Sequence, residues 1–304
     1  MRIFATLIAL AIAITSCKTI QKSSETGKTL KVQVFKGQKA SVNSYIFSNG
    51  QSQIVMDVLR SSEEAKTLAA QIKANNLPLT HILVTHGHPD HYLGMDVLLK
   101  AFPKVKIVVA TQDIKNDIKG FSQWMESVGW LDGEVNLKPK SEKNPNGFDY
   151  DGNISVLKSP QLTLEGGGTL DLETTYNPAE AEHLTTVFSK DLNALFTSDF
   201  CYNDVHPWLG TGVDDAHIAN WKNQLTAFKT KYADTRPTIY PGHGDKSDVS
   251  LFDKMLAYIR DFEEVTAKAK TKKQAMTEMQ KRYPNHQQAD FLLLYSVDFH
   301  VKEK

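Results

Sequence analysis

Four side chains able to bind a metal ion stand within six positions of one another: His86, His88, Asp90 and His91, in Thr85-His86-Gly87-His88-Pro89-Asp90-His91. Imidazole nitrogen and carboxylate oxygen are usual ligands of zinc. In an extended or turning segment His86 and His88 share a face, because alternate side chains point the same way. Asp90 and His91, beyond the bend at Pro89, can turn toward a neighbouring point. One loop can thus serve two adjacent metal positions; the bland alternative is a polar surface turn rich in histidine. The run directly follows the apolar stretch Ile82-Leu83-Val84, which has the composition of a buried strand.

Further along the chain, three more candidates sit in motif-like contexts: His183 in Ala-Glu-His-Leu, Asp199 in Phe-Thr-Ser-Asp after an apolar strand pattern, and His243 in Tyr-Pro-Gly-His-Gly. With them, the run at 85–91 and the following Gly94 resemble the His-x-His-x-Asp-His signature of the metallo-β-lactamase-fold superfamily. The likeness covers about residues 30–245, and is closest to the glyoxalase II and lactonase branch, given Asp199. It implies an α/β (α+β) fold, an αββα sandwich of two mixed β-sheets with outer helices and ligands on loops along one edge. It also implies that His86, His88 and His183 hold one metal, that Asp90, His91 and His243 hold the other, and that Asp199 bridges them. Asp57, ending an apolar strand, is expected to orient a ligand or a loop, with a satisfied structural carboxylate as the alternative reading.

The chemistry implied is hydrolysis. Two divalent cations about 3.5–4 Å apart acidify a shared water, and the hydroxide attacks a carbonyl-type carbon. The expected cofactor is two Zn2+, with Fe or Mn as alternatives. Asp90 is the expected catalytic group, orienting the nucleophile and passing a proton to the leaving atom. Ester, thioester, lactone and lactam all fit. Two other readings stand beside this one: a mononuclear iron oxidoreductase like the persulfide dioxygenases, and a non-catalytic metal-binding lipoprotein.

Possible substrate contacts follow the bridging position: Tyr202, His206 and Trp208; a packed aromatic and a surface histidine are the alternative readings of Tyr202 and His206. Cys201, two positions past Asp199, reads as buried packing more readily than as a ligand. Ninety-two positions separate His91 from His183, and the excess falls in a region from Trp124 to Tyr150 whose aromatic residues can form a lid. Only 44 positions separate Asp199 from His243, too few for the extra domain that the superfamily's nucleases carry.

The elements that must position these residues are legible as patterns. Residues 30–35, 42–47 and 53–58 read as a β-meander, with turn residues Gly37 and Asn49-Gly50 between the runs. A helix from Ser61 to about Asn75 is predicted from its serine cap and early acidic residues. Strand, helix, strand follow at 81–85, 92–102 and 105–110, then a helix over 114–129. Strands resume near Ile154, a helix spans 214–232, and residues after 248 are mostly helical.

The 304 residues divide into residues 1–17, 18–29, a metal-binding domain over 30–247, and a C-terminal helical segment over 248–304 packed on it. Residues 3–14 form an apolar run too short to cross a bilayer of about 30 Å, behind Arg2 and ahead of Ile14-Thr15-Ser16-Cys17. That resembles a bacterial lipoprotein signal peptide, and implies lipidation of Cys17 and a periplasmic or cell-surface location. Residues 18–29 are polar and read as a tether. With 35 basic and 35 acidic residues the formal charge is zero. Balanced charge disfavours nucleic acid, which is bound through excess cations. The expected partner is a small molecule, with the membrane reached only through the N-terminal anchor.

Overall fold

The computed structural model describes residues 29–302. The expectations for residues 1–17, including Cys17, and for residues 18–28 of the tether lie outside them.

The chain opens with β1 (Lys31–Lys36), β2 (Asn43–Ser48) and β3 (Gln53–Met56), paired antiparallel as a meander. Helix α1 (Ser62–Ala74) then crosses to β4 (Leu79–Leu83), which pairs parallel to β3. Ser61 caps α1 by accepting from the Glu64 amide, which satisfies one free amide at the helix start, and its hydroxyl also donates to the Glu64 carboxylate. Next come α2 (Pro89–Tyr92), α3 (Met95–Ala101), β5 (Lys106–Val109) and α4 (Gln112–Ser127). The turn α5 (Tyr150–Asn153) leads into β6 (Ile154–Val156), completing a six-stranded mixed sheet in the order β1-β2-β3-β4-β5-β6.

The second sheet holds β7 (Gln161–Thr163), β8 (Thr169–Glu173), β9 (Thr186–Ser189), β10 (Ala194–Asn203) and, after α6 (Asp215–Lys231), β11 (Thr238–Gly244). Its order is β11-β10-β9-β8-β7, with only the β10–β11 pair parallel. Helices α7 (Leu251–Lys268), α8 (Lys272–Arg282) and α9 (Leu294–His300) close the chain, the last preceded by one π-turn.

Alternation along single strands shows why two sheets must stack. In β2, Tyr45 and Phe47 join a core with Phe196 and Tyr240 of the second sheet, while Ile46 faces the other way with Leu68, Ile72 and Ile118 of the helices. Both faces of the strand are therefore apolar and need cover. Helices α1, α3 and α4 cover the first sheet; α6 and the C-terminal helices cover the second through Trp221, Phe228, Phe252 and Ile259. The result is the αββα sandwich.

One expected element is divided. The helix predicted over 92–102 breaks at Gly94, whose amide donates to Leu59 O. A Cβ at Gly94 would overlap the Val58 carbonyl oxygen and approach Ala65 Cβ to 2.8 Å. The chain bends here because α1 and the segment after β3 press directly on its backbone. Gly94→Ala is expected to lower stability by about 1–3 kcal/mol, an overpacking cost; an unchanged urea midpoint would show that the backbones can part freely.

Candidate metal centre

Residues 85–91 leave the C-terminal end of β4, and the register that puts β4 beside β3 brings Asp57 alongside. Asp57 has φ 59°, in the left-handed region that short polar side chains tolerate better than most. Its buried carboxylate accepts from the Thr85 amide (2.9 Å), the Thr85 hydroxyl (2.9 Å) and His91 Nδ1 (2.8 Å). Because the Thr85 proton goes to Asp57, its oxygen is left to accept from His86 Nδ1 at 3.0 Å. His243 Nδ1 in turn donates to Ala40 O at 2.7 Å. In the neutral rings these bonds place the proton on Nδ1 and leave Nε2 of His86, His91 and His243 facing one space.

That space is filled by ligand-type atoms. His86, His88, Glu180 and Asp199 form one group and Asp90, His91 and His243 a second, with the ligand atoms of each group lying within 4.8 Å of one another. Asp199 lies between them: Oδ1 is 3.3 Å from His91 Nε2, and Oδ2 is 3.2 Å from His243 Nε2 and 3.8 Å from His86 Nε2. Asp90 Oδ2 stands 3.6 Å from His243 Nε2 and 3.9 Å from His91 Nε2. The strand irregularity between Ser198 and Tyr202, with Ser198 at φ 46°, turns Asp199 inward, as a bulge re-aims a side chain. Gly242 on β11 makes room, since a Cβ there would overlap Asp199 Oδ1.

Six of the seven ligand positions expected from the sequence converge here. His183 does not, and this corrects the expectation. It is 45% exposed and its Nδ1 bonds Asp117 Oδ2 on α4 at 2.8 Å. Leu184 pairs with His86 across a β-bridge and is buried; alternation in an extended chain then turns the adjacent His183 outward. Glu180 occupies the place instead, fully buried, with Oε1 3.1 Å from His88 Nδ1 and Oε2 3.7 Å from His86 Nε2. A signal was present: Pro178-Ala179-Glu180 repeats the proline, small residue, ligand order of Pro241-Gly242-His243.

Several buried atoms of the cluster have no hydrogen-bond partner: His86 Nε2, His91 Nε2, Glu180 Oε2 and Asp199 Oδ1. Unpaired buried polar atoms are costly, and these point into the shared space, so the donor set fits metal ions. The acid–base balance agrees. Burial opposes charge on His88, yet the Glu180 carboxylate raises it to about 8. Burial likewise opposes charge on His91 and His243, but Asp199 holds His91 well above the usual imidazole range and raises His243. Burial favours protonated Asp199, while His91, His243 and His86 hold it well below the usual range. The site thus demands positive charge.

The expected substrate contacts divide. Tyr202 stacks on His243 at 4.5 Å and donates to Asp199 Oδ2 at 2.7 Å, so its hydroxyl is already committed. Trp208 borders the open side of the cluster. His206 does not; it is buried in the helical core with Nδ1 bonded to Tyr258 Oη at 2.6 Å, which corrects both the substrate-contact and the surface-histidine readings. Cys201 is packed in the same core, where burial pushes its thiol up to about 12.

The comparisons with known proteins agree with this geometry. The metallo-beta-lactamase superfamily pattern matches residues 38–243. A probable metallo-hydrolase of Streptococcus pyogenes serotype M6 is 22% identical over 234 residues, covering 73% of this chain and 88% of the relative. An atrochrysone carboxyl ACP thioesterase of Claviceps purpurea is 32% identical over a stretch covering 21% of each chain. A metallo-beta-lactamase family protein of Thermus thermophilus superposes with TM-score 0.61 at 16% identity, over 90% of this chain and 91% of its own.

The geometry separates two variants. Glu180→Ala is expected to weaken metal binding by more than the roughly 10–100-fold that loss of an outer partner costs, whereas His183→Ala keeps the full complement. Metal analysis after dialysis reads both, and the reverse pattern would restore His183 as the ligand. Asp57→Asn, which loosens His91, is expected to weaken binding by roughly 10–100-fold without removing a ligand; unchanged affinity would rule out the orienting role.

Proposed function

The chain belongs to the metallo-beta-lactamase superfamily and is a metal-dependent hydrolase, and from that premise we propose a binuclear zinc enzyme acting on a carbonyl-type substrate. Its substrate is an ester, thioester, lactone or lactam. The observation that carries the reading is the match between buried charge and the donor set. Four buried carboxylates, Asp57, Asp90, Glu180 and Asp199, surround the imidazoles. Buried charges need compensation, and two divalent cations would supply it charge for charge.

His86, His88, Glu180 and Asp199 would hold one ion, and Asp90, His91, His243 and Asp199 the other. A zinc pair supplies an acidified water and a Lewis acid for the carbonyl oxygen. The protein's own part is positioning and proton management. Asp57 and Ala40 O fix the imidazoles of His91 and His243. Asp90 borders the open cavity beside the cluster and is placed to take the proton of the attacking water and return it to the leaving atom. Tyr202 holds Asp199 in place. The local likeness to a thioesterase supports the thioester member of the substrate set.

Export and anchoring through Cys17 are part of this proposal, on the strength of the apolar run 3–14 and the Thr-Ser-Cys that ends it. No helix among the described residues is long and apolar enough to cross a membrane. Palmitate labelling lost in Cys17→Ser is the expected result; labelling that persists would exclude that anchor.

The catalytic reading is tested on zinc-loaded protein with nitrocefin, acyl lactones, thioesters, p-nitrophenyl esters and a phosphodiester. Two zinc ions per chain and turnover of one carbonyl class are expected, with kcat falling about 10²–10⁴-fold in Asp90→Ala. One iron per chain without hydrolysis would favour the mononuclear oxidoreductase, and turnover of the phosphodiester alone would overturn the carbonyl assignment.

A further inference from the structure

The open side of the metal centre is an aromatic box. A cavity of about 410 Å³ has His88, Asp90, Glu180 and Asp199 on one wall. Its other walls come from three separate parts of the chain: Phe121 and Trp124 on α4 with Trp130 just after it, Trp208 after β10, and Phe291 in the π-turn with Tyr295 in the first turn of α9. The rings touch in series. His88 meets Phe121 (6.1 Å) and Trp208 (6.5 Å), Phe121 meets Trp124 (5.3 Å), Trp124 meets Trp130 (4.9 Å), and Trp208 meets Tyr295 (6.4 Å). Nearly all these contacts are edge-to-face, the geometry in which aromatic rings gain beyond simple burial.

Exposure points the same way. The large hydrophobic side chains left to solvent among the described residues are Trp124 (47%), Val128, Trp130 (52%), Leu294 and Tyr295 (47%). They fall in two segments far apart in sequence, and both segments border this one mouth. Apolar surface gathered at a single cleft marks a binding site rather than packing. Gly210 keeps the opposite wall in place, because a Cβ there would lie 2.7 Å from the Trp208 ring. The Trp208 indole N–H is buried without an acceptor. Arg60, its guanidinium 5.1 Å from the Phe291 ring centre, brings the one basic group besides His88 to the lining.

We infer that the substrate carries an aromatic ring on the acyl side of its scissile bond, and that this ring is held between Trp124, Trp130 and Trp208 while the carbonyl group meets the metal centre. The inference rests on the hydrolase reading for the bond that is cut, but not for the binding of the ring. Arg60 disfavours a cationic substituent there.

The test compares thioesters differing only in the acyl group, acetyl against phenylacetyl. Burial of a ring of that size is worth about 10–100-fold in kcat/KM. The wild-type protein is expected to prefer phenylacetyl by that factor. In the Trp124→Ala/Trp130→Ala double variant the preference is expected to fall to about threefold or less. Tyr295→Ala, on the opposite wall, is the independent variant should the first misfold by circular dichroism, and it too is expected to reduce the preference. A second readout needs no turnover: calorimetric titration with 1-naphthylacetamide, expected to bind with negative heat-capacity change and to lose at least tenfold in affinity in the double variant. Binding without turnover of any ester would sink the hydrolase reading and keep the ring site. Equal rates on the two thioesters, with no saturable heat from the amide, would overturn the ring site and leave the hydrolase reading intact.

Discussion

Everything at the metal centre hangs on one buried carboxylate. Asp57 stands at the end of β3 in an inner position of the first sheet, where burial pushes its pKa up and His91 and Thr85 pull it back. A buried anion needs donors, and Asp57 finds them in the neighbouring strand end. The bond to the Thr85 amide fixes where β4 gives way to the ligand loop. The Thr85 hydroxyl carries the order on to His86, and contacts Ser198 Oγ at 2.8 Å in the second sheet. One side chain thereby couples backbone register, two imidazole tautomers and the junction of the two sheets. The cluster is a consequence of strand pairing as much as of its own residues.

That dependence explains what could be read in the sequence. Ligands close together on one loop are legible because local geometry alone brings them together, and His86, His88, Asp90 and His91 need only a turn after a strand. Asp199 and His243 are legible because each closely follows a short apolar run in the sequence, and the parallel pairing of β10 with β11 brings the two side by side. Glu180 sits in an irregular stretch between β8 and β9, where no periodicity tells which of Glu180, Glu182 and His183 turns inward. The structure gives each a different neighbour: Glu180 meets His86 and His88, Glu182 faces His217 on α6 at 3.3 Å, and His183 braces Asp117 on α4. Residue type favours the histidine, and position favours the glutamate. A buried carboxylate beside two imidazoles satisfies a cation equally well.

The fold itself was more legible than its breaks. Strands buried on both faces, a capped α1 and a meander at the start follow from composition and turn residues. The interruption at Gly94 and the fate of His206 do not, because both are decided by remote backbone or helices. His206 belongs to a helical layer assembled from residues more than fifty positions downstream, Tyr258 and His286 among them. Long-range packing of this kind leaves no mark within a short window.

The division of labour between layers follows from these constraints. Strand pairing positions most of the ligand-type residues, on the loop after β4, within β10 and near the end of β11, because a cation demands tightly held atoms. The walls of the cavity come from α4 and the turn after it, from the stretch after β10, and from the π-turn and first turn of α9. Trp124, Trp130 and Tyr295 are left largely exposed, whereas Phe121, Trp208 and Phe291 also pack against the cores. Phe121, Trp124 and Trp130 meet Trp208, Phe291 and Tyr295 over a metal centre that none of these six residues helps to build. The chemistry is therefore fixed by the sheets, and the fit to a particular acyl group by the helices that flank them.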